Sequence, residues 1–347
     1  MAGAVVVGRW VPVAVSVIAV AGCVAPGRAL EKSPEITVTT GGAALRDPVW
    51  SYRNAALVGL TADHRVAEVT DLPRAGPAIT RLSLPMAVGR NLQISRKDDR
   101  QVFVPEPQRG KVAVVDLTTL QQVGEFDGGP APDYLSEDSG MRVLLALSAD
   151  GSSVTPIDEY GFRKLPTAKI TGGPADVIDG ANRGRDIEYH LYGPSGIRYY
   201  QGPSSPPKER GSLAMHVATS AGDGTAVTRS YVARRDDDTL YVVDLKRSGE
   251  GLRVRAATRL PSPIRRICTD DTRIYVATDR EVAVLETNSF MRFEQDKIPV
   301  LRITNYRAAL PESQRSLPLT GMALGPHRVY LTFEGTPLVV SVAKAHL

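Results

Sequence analysis

The sequence is poor in cysteine and lacks long basic or hydrophobic runs beyond its amino terminus. Its 347 residues contain two cysteines, Cys23 and Cys268, which are too few for a disulfide framework. The formal net charge is +4 and the basic residues are scattered, so nucleic acid is not an expected partner. No segment beyond residue 22 has the length and apolarity of a membrane span. With 42% hydrophobic and 23% charged residues, the composition is that of a globular protein.

The first 22 residues predict a cleaved export signal that ends at a lipid attachment site. Arg9 precedes an apolar stretch over 10–20, and small residues follow, which is the order found in secretory signals. Val20-Ala21-Gly22-Cys23 resembles the lipobox of bacterial lipoproteins. The resemblance implies that the signal is cut before Cys23 and that the Cys23 sulfur carries a diacylglycerol. The alternative is an uncleaved or conventionally cleaved signal in which Cys23 is incidental.

Lipid chains on Cys23 would make the membrane a partner of the protein. Two or three acyl chains, at ~0.8 kcal/mol for each buried CH₂, hold a protein at a membrane almost permanently. Residues 24–34 mix proline, glycine and charge, which predicts a short tether. We therefore expect an exported, monomeric body anchored to the outer face of the cell membrane. Cys268 follows an apolar residue in a predicted strand and is expected to be a buried, unreactive thiol.

Beyond residue 35 the chain repeats a unit of short β-branched runs separated by turn residues. No apolar stripe with a period of 3.6 is sustained there, so the predicted class is all-β. Equivalent strand positions recur at intervals of 41 to 46 residues, with a last interval of 55. These positions are Leu57, Phe103, Leu145, His190, Tyr231, Tyr275 and Tyr330. Seven copies predict a seven-bladed β-propeller of four-stranded antiparallel blades, the alternative being two β-sandwich domains with evenly spaced strands.

The two ends of the repeat region predict how the ring closes. The last copy ends near Val342 and leaves too few residues for a fourth strand, whereas residues 35–40 alternate and belong to no blade. We expect residues 35–40 to form the outer strand of the last blade, because this pairing removes an exposed sheet edge. The long last interval predicts an insertion over 304–316. The chain is thus divided into a signal peptide over 1–22, a lipidated cysteine and tether over 23–34, and a single propeller over 35–347.

Three motifs in the repeats carry a resemblance to a known family. They are Ser148-Ala149-Asp150-Gly151, the run over 114–119, and Gly-Gly-Pro at 128–130 and 172–174. Together they resemble the YVTN-type seven-bladed β-propeller family. The 33 arginines and 9 lysines, together with the lipobox, resemble the lipoproteins of high-GC actinobacteria. The family resemblance implies the fold and leaves the function open, because these propellers include lactonases, surface proteins and scaffolds.

The sequence shows no catalytic, metal-binding or cofactor-binding pattern. The Gly-x-Ser-x-Gly motif is absent, and the histidines at 64, 190, 216, 327 and 346 are isolated from one another. Acidic runs at 98–99, 236–238 and 270–271 lack EF-hand spacing and fall in repeat turns, where aspartate accepts backbone N–H bonds. Trp50 is the only tryptophan left after signal cleavage, which disfavours a quinone-docking surface. We expect no metal, no cofactor and no catalytic set.

The favoured place for a ligand is a mouth of the central channel, where the inner strands of a propeller converge. A proline opens each predicted inner strand, from Pro85 to Pro318. The residues two and three positions after each proline are expected to lie at one mouth. The charged members of this set are Asp133, Asp176, Arg265 and Arg266. Such a ring could hold a small anionic or zwitterionic ligand, since arginine makes bidentate contacts. The alternative is that these groups neutralise one another across a solvated channel.

These observations favour a binding or scaffolding module over an enzyme. The expected protein is a cell-envelope lipoprotein whose propeller binds a protein, a glycan or a small ligand. The alternative is a lactonase-type hydrolase with its site at the channel mouth, which requires the four charged side chains to form one cluster. A third interpretation is an assembly factor for envelope complexes, although no residue identifies a partner.

Overall fold

Seven β-sheets account for nearly all of the regular structure in this protein. The computed structural model describes residues 34–344 apart from 73, 74, 96, 97, 204, 205, 247 and 290. The predicted signal, Cys23 and the tether as far as residue 33 lie outside the described residues. Within the described part, thirty strands form seven sheets and four single-turn 3₁₀ helices complete the regular elements.

The first strand belongs to the last blade, and the next three blades follow in chain order. Strand β1 is Ile36–Thr40. Blade 1 contains β2 (Arg46–Ser51), β3 (Ala56–Leu60), β4 (Val66–Thr70) and β6 (Ile79–Leu82). The two-residue β5 (Gly76–Pro77), between β4 and β6 in the chain, pairs in parallel with β1 at the edge of the last blade. Blade 2 contains β7 (Gln93–Ile94), β8 (Gln101–Glu106), β9 (Lys111–Asp116) and β10 (Gln121–Asp127). Blade 3 contains β11 (Pro132–Asp138), β12 (Val143–Ser148), β13 (Ser153–Asp158) and an outer strand split into β14 (Arg163–Lys164) and β15 (Ala168–Lys169).

The remaining four blades repeat the same order from the inner to the outer strand. Blade 4 contains β16 (Val177–Gly180), β17 (Ile187–Gly193), β18 (Gly196–Gly202) and β19 (Lys208–Leu213). Blade 5 contains β20 (Thr219–Gly222), β21 (Ser230–Ala233), β22 (Thr239–Leu245) and β23 (Leu252–Arg259). Blade 6 contains β24 (Ile264–Thr269), β25 (Arg273–Thr278), β26 (Glu281–Glu286) and β27 (Val300–Asn305). Blade 7 contains β28 (Leu319–Leu324), β29 (Arg328–Phe333), β30 (Thr336–Ala343) and, outermost, β1.

The protein is therefore an all-β, seven-bladed propeller with four-stranded antiparallel blades, as the repeat predicts. The seven positions used to define the repeat all lie in the second strand of a blade. Those second strands are buried along most or all of their length, as in β3, β12 and β17, because a neighbouring blade covers each face. The 3₁₀ helices are Pro107–Arg109, Glu294–Asp296, Arg307–Ala309 and Glu312–Gln314. The last two occupy the predicted insertion between β27 and β28.

Seven hydrophobic clusters hold the blades together, and each cluster spans two neighbouring blades. Between blades 1 and 2, for example, Val58 packs in one cluster with Val104. Between blades 7 and 1, the Trp50 and Tyr330 rings stack with centroids 4.6 Å apart. Since one sheet cannot bury both of its faces alone, the ring is the unit that completes the core.

Antiparallel pairing within every blade defines two faces of the propeller. Inner strands begin at one face, here called the start face, and end at the opposite face, here called the end face. Turns between the second and third strands lie on the start face. Connections between the first and second strands, and between the third and fourth, lie on the end face. Strand β1 is a fourth strand and therefore begins at the end face.

Glycines in the corner motifs allow blades to approach closely. Gly129, in the Gly-Gly-Pro corner, has a φ of +84°, and a Cβ there would lie 2.0 Å from Thr155 Oγ1. Gly151 has a φ of +66°, and its Cβ would lie 2.2 Å from the carbonyl oxygen of Ala175. Both positions combine left-handed backbone with contact to the next strand or blade, so only glycine fits without displacement.

The acidic turns bind their own backbone. Asp270 Oδ1 accepts the amides of Thr272 and Arg273 at 3.1 and 3.0 Å, and Asp237 Oδ1 accepts the amide of Thr239 at 3.0 Å. These contacts give the aspartates a structural role in turns, as expected from their position in the repeat.

The ring closes where β1 pairs with β30. The register runs antiparallel from Ile36 opposite Val342 to Thr40 opposite Leu338. Arg328, which is only 4% exposed, donates from Nη1 to the Pro34 carbonyl oxygen at 2.9 Å and from Nε to Ser341 Oγ at 2.9 Å. Its Nη2 also donates to the Glu35 carbonyl oxygen and to Thr37 Oγ1. One buried guanidinium therefore joins three strands of blade 7.

Replacing Arg328 by methionine should destabilise the closed ring. Arg328→Met keeps an unbranched apolar stem and leaves several buried oxygens without a donor, so the free energy of unfolding should fall by about 2–4 kcal/mol. Urea denaturation followed by tyrosine fluorescence measures this change. Arg163→Met is the matched control, because its side chain is 76% exposed and should change the free energy by less than ~0.5 kcal/mol. Equal effects of the two substitutions would contradict the role of Arg328 in closure.

Two buried carboxyl groups lie between blades 3 and 4. Asp138 at the end of β11 accepts the backbone amide of Glu188 at 2.8 Å, and Glu188 Oε1 accepts Gln201 Nε2 at 2.9 Å. Burial raises the pKa of Asp138 to about 6. Burial, reinforced by the Asp138 charge, raises the pKa of Glu188 to about 7. A carboxyl group whose pKa is raised on folding destabilises the folded state increasingly as pH rises from the unfolded pKa through the folded one.

Glu188→Gln should remove part of this pH dependence. The amide keeps an acceptor for Gln201 and cannot ionise, so the variant should be more stable than wild type by about 1–3 kcal/mol at pH 8. The difference should shrink toward pH 5, where Glu188 is protonated in the folded protein. Denaturation curves between pH 5 and 8 test this, with exposed Glu250→Gln as the control. A difference that does not vary with pH would show that ionisation of Glu188 is not its cause.

Candidate functional site: the central channel

The inner strands enclose a central channel with one mouth on each face. The cavity at the start face has a volume of about 380 Å³, and the cavity at the end face about 1100 Å³. Val49, Asp179, Cys268 and Met322 line both cavities, so the two cavities are the halves of one passage. The cavity at the start face is within the range of ~300–1000 Å³ typical of small-molecule sites, and the cavity at the end face is slightly larger than that range.

Charged and phenolic side chains gather at the start mouth. They are Asp47, Tyr134, Asp176, Asp179, Tyr192 and Arg266. Loss of solvation raises the pKa of Asp47, while Arg266, Arg46 and Arg90 act in the opposite direction. Burial keeps the pKa values of Tyr134 and Tyr192 above the usual range, so both phenols stay neutral donors. The start mouth can therefore offer hydrogen bonds and charges of both signs.

Arg266 is held in the channel wall by backbone carbonyl groups. Its Nη2 donates to the Thr320 oxygen of blade 7 at 3.0 Å, and its Nη1 donates to the Arg265 oxygen at 3.1 Å. Among the described residues, no carboxylate lies within ion-pair distance of this guanidinium. The carbonyl groups thus fix the orientation of Arg266, and its charge acts on the neighbouring Asp47.

Asp176 also lines the start mouth, whereas Asp133 is engaged beside it. Arg90 donates from Nε to Asp133 Oδ2 at 2.5 Å and from Nη1 to the Asp176 carbonyl oxygen at 2.6 Å. Arg90 therefore connects the inner strands of blades 3 and 4. The Asp176 side chain is exposed in the mouth. Asp133, which was predicted at the same mouth, pairs through its carboxylate with Arg90 and is not part of the cavity lining.

Arg265 is likewise outside the channel lining, contrary to the sequence prediction. Its Nε and Nη2 donate to Asp279 at 2.7 and 2.8 Å, and its Nη1 donates to Asp236 Oδ1 at 2.6 Å. Hydrogen bonds to these carboxylates raise the pKa of Arg265. The register between β24 and β25 shifts between Ile264 and Arg266, so Arg265 lies in a bulge, and its side chain is outside the lining that contains Arg266. The lactonase-type alternative required four clustered side chains, and the structure places two of them in the lining.

Sequence reasoning missed Asp47 and Asp179 because the count from each proline assumed one register for all blades. In blade 2 the inner strand β7 begins at Gln93, well after Pro85, so Ala87 and Val88 precede it. In blade 1, Pro48 lies within β2 itself. Counting from the second strand, whose position the repeat defines, would have selected Asp179, which pairs with His190.

Cys268 is the only cysteine in the described part of the chain, and it lies in the channel wall. Its Sγ contacts the Met322 carbonyl oxygen at 3.6 Å. Burial raises the pKa of the Cys268 thiol to about 12, so the reactive thiolate is scarce at neutral pH. This environment agrees with the expected unreactive thiol.

His190 packs among aromatic rings away from the channel. Its ring centroid lies 4.9 Å from that of Tyr199, and burial lowers the pKa of His190 to about 4.

Across residues 34–344, outside the gaps stated above, no three His, Cys, Asp or Glu side chains are grouped as metal ligands. Over the same residues, no helix has the length and apolarity needed to span a membrane.

Comparison with known proteins identifies the architecture. No family model and no curated protein matches this chain. A chain from the crystal structure of the mitotic checkpoint complex is similar with a TM-score of 0.65 and 11% identity, covering 88% of this chain and 93% of that chain. The WD40 repeats of RRP9 are similar with a TM-score of 0.64 and 12% identity, covering 90% and 98%. Hydrazine synthase from Kuenenia stuttgartiensis is similar with a TM-score of 0.63 and 10% identity, covering 87% and 96%. At these identities the similarity shows the propeller fold alone.

Proposed function

We propose that this protein is a membrane-anchored cell-envelope lipoprotein whose propeller binds a partner protein at the start face. The observation that carries the proposal is the mixed-charge start mouth, where Asp176 and the wall-held Arg266 face the channel. The lipobox at 20–23 and its resemblance to those of actinobacterial lipoproteins supply the anchor. The corner and turn motifs of the body resemble those of YVTN-type propellers.

The position of β1 supports this arrangement. Strand β1 begins at the end face, so a lipid on Cys23 is connected to that face through residues 24–34. Eleven extended residues span at most ~40 Å. A lipid on Cys23 would therefore keep the start of β1, on the end face, within that distance of the bilayer.

A protein is the partner that the fold favours. Propellers present rigid faces built from many turns. One structural neighbour is a chain of the mitotic checkpoint complex. The start mouth offers charges of both signs rather than one deep apolar pocket, which suits the polar rim of a protein interface.

Cys23→Ala should release the protein from the membrane. Wild type should lose residues 1–22, gain the mass of a diacylglycerol and sediment with membranes, whereas the variant should gain no lipid mass. Intact-mass spectrometry and fractionation of expressing cells measure both properties. Cys268→Ala, the only other cysteine substitution available, should behave as wild type. Identical mass and location of wild type and Cys23→Ala would overturn the anchor.

A photo-crosslinking amino acid in place of Ala218 should capture the partner. Ala218 is exposed and lines the start mouth, whereas Val123 is exposed on the outer strand of blade 2 and serves as the control position. Crosslinking in intact cells should give a discrete adduct from position 218 and none from 123. Arg266→Gln should reduce the adduct, because it removes a charge from the mouth. An adduct of equal strength from both positions would contradict a binding surface at the start face.

A further inference from the structure

A second pocket lies on the end face, outside the channel and between blades 5 and 6. Its volume is about 320 Å³. Its lining consists of Arg229, Arg253, Arg255, Met291, Arg292, Phe293 and Asp296. The lining therefore contains four guanidinium groups and one carboxylate, and Asp223 and Asp244 lie behind Arg229 within ion-pair distance. We call this site the arginine pocket.

Arg229 forms the floor of the arginine pocket. It is 5% exposed, its Nη1 donates to the Asn288 carbonyl oxygen at 3.0 Å, and its guanidinium lies 5.3 Å from the centre of the Phe293 ring. Its Nη2 donates to Asp244 Oδ2 at 3.4 Å. The Nε of Arg229 is buried and has no hydrogen-bond partner among the described residues. A buried donor without an acceptor is unfavourable unless a ligand or water supplies one.

The walls of the pocket come from two further elements. Arg253 and Arg255 are two residues apart on β23 and therefore point to the same side of the strand. Arg255 shares Asp244 with Arg229, at 3.7 Å. Arg292 is exposed on the connection between β26 and β27. Within the described chain, neither Arg253 nor Arg292 forms an ion pair, and Arg253 Nε is a second buried donor without a partner.

We propose that the arginine pocket binds a phosphate group of a phosphate ester. Several guanidinium forks converge on one concavity, and phosphate accepts bidentate hydrogen bonds from more than one of them. A tetrahedral phosphate directs its oxygens toward more than one wall of the pocket, whereas the two oxygens of a carboxylate lie in one plane. Met291 and Phe293 supply an apolar border beside the guanidinium groups, which suits an organic substituent on the phosphate.

The position of the pocket indicates two sources of such a phosphate. The arginine pocket and the start of β1 share the end face. In a protein anchored through Cys23, the pocket could therefore reach phospholipid headgroups. The lipid source rests on the proposed function. The phosphate site itself rests only on the residues of the pocket, and a soluble phosphate ester would use the same donors.

Titration calorimetry of the detergent-extracted full chain tests the proposal. Inorganic phosphate and glycerophosphoglycerol, the headgroup portion of phosphatidylglycerol, are titrated separately at constant ionic strength. Saturable binding at one site is expected for at least one of them. Preference for the diester assigns the site to lipid headgroups, and preference for inorganic phosphate assigns it to soluble phosphates. Either preference supports the phosphate pocket, and the absence of saturable binding of both probes would overturn it.

Matched substitutions locate the site. Arg253→Gln and Arg292→Gln should each weaken binding at least tenfold, since each removes one charged fork. Arg253→Lys should recover part of the affinity, because it restores the charge without the planar donor geometry. Arg163→Gln makes the same charge change on blade 3 and should leave affinity within twofold. A loss of the same size in Arg163→Gln would show that net charge, not the pocket, holds the anion. If wild type carries lipid on Cys23 but binds neither probe, the pocket proposal fails and the anchor stands. If wild type binds a probe but carries no lipid, the anchor fails and the pocket stands.

Discussion

Closure of the ring by β1 and β30 is the constraint on which the rest of this structure depends. Each hydrophobic cluster spans two blades, so the cluster between blades 7 and 1 exists only when the last blade reaches the first. Arg328 reinforces that junction by joining β29, β30 and the backbone that leads into β1. The channel, its two mouths and the faces of the propeller are all products of this closed geometry.

Much of the fold could be predicted from the sequence because the second strand of every blade is buried on both faces. Such strands form short apolar runs, as in β12, and these runs are visible without an alignment. The site was harder to predict. Asp133 and Arg265 were misplaced because each lies in a bulge between the first and second strands of its blade, and because inner strands do not all begin at the same distance from a proline. Register of this kind is set by pairing with the second strand, which is a non-local contact.

The arginine pocket was invisible in the sequence for a related reason. Its guanidinium groups come from the connection before β21, from β23 and from the connection after β26, and no fixed spacing links them. The channel shows the contrasting use of arginine. There, carbonyl oxygens hold Arg266 in the wall, and Arg90, beside the channel, links the inner strands of blades 3 and 4. Arginine therefore has two structural roles in this chain. Some arginines hold the inner strands together around the channel, and others line the arginine pocket.

The pairing of β1 with β30 also has a consequence for synthesis. Strand β1, the first strand in the described part of the chain, pairs with the last one, and about 300 residues separate the partners. Loop closure over such a distance adds an entropic cost that grows only slowly with length, but the pairing must wait until the final blade has been made. Until then the nascent chain presents two unpaired sheet edges, one on β1 and one on the newest blade. Chains that terminate early would keep both edges permanently, and they are the species from which aggregation of this protein should begin.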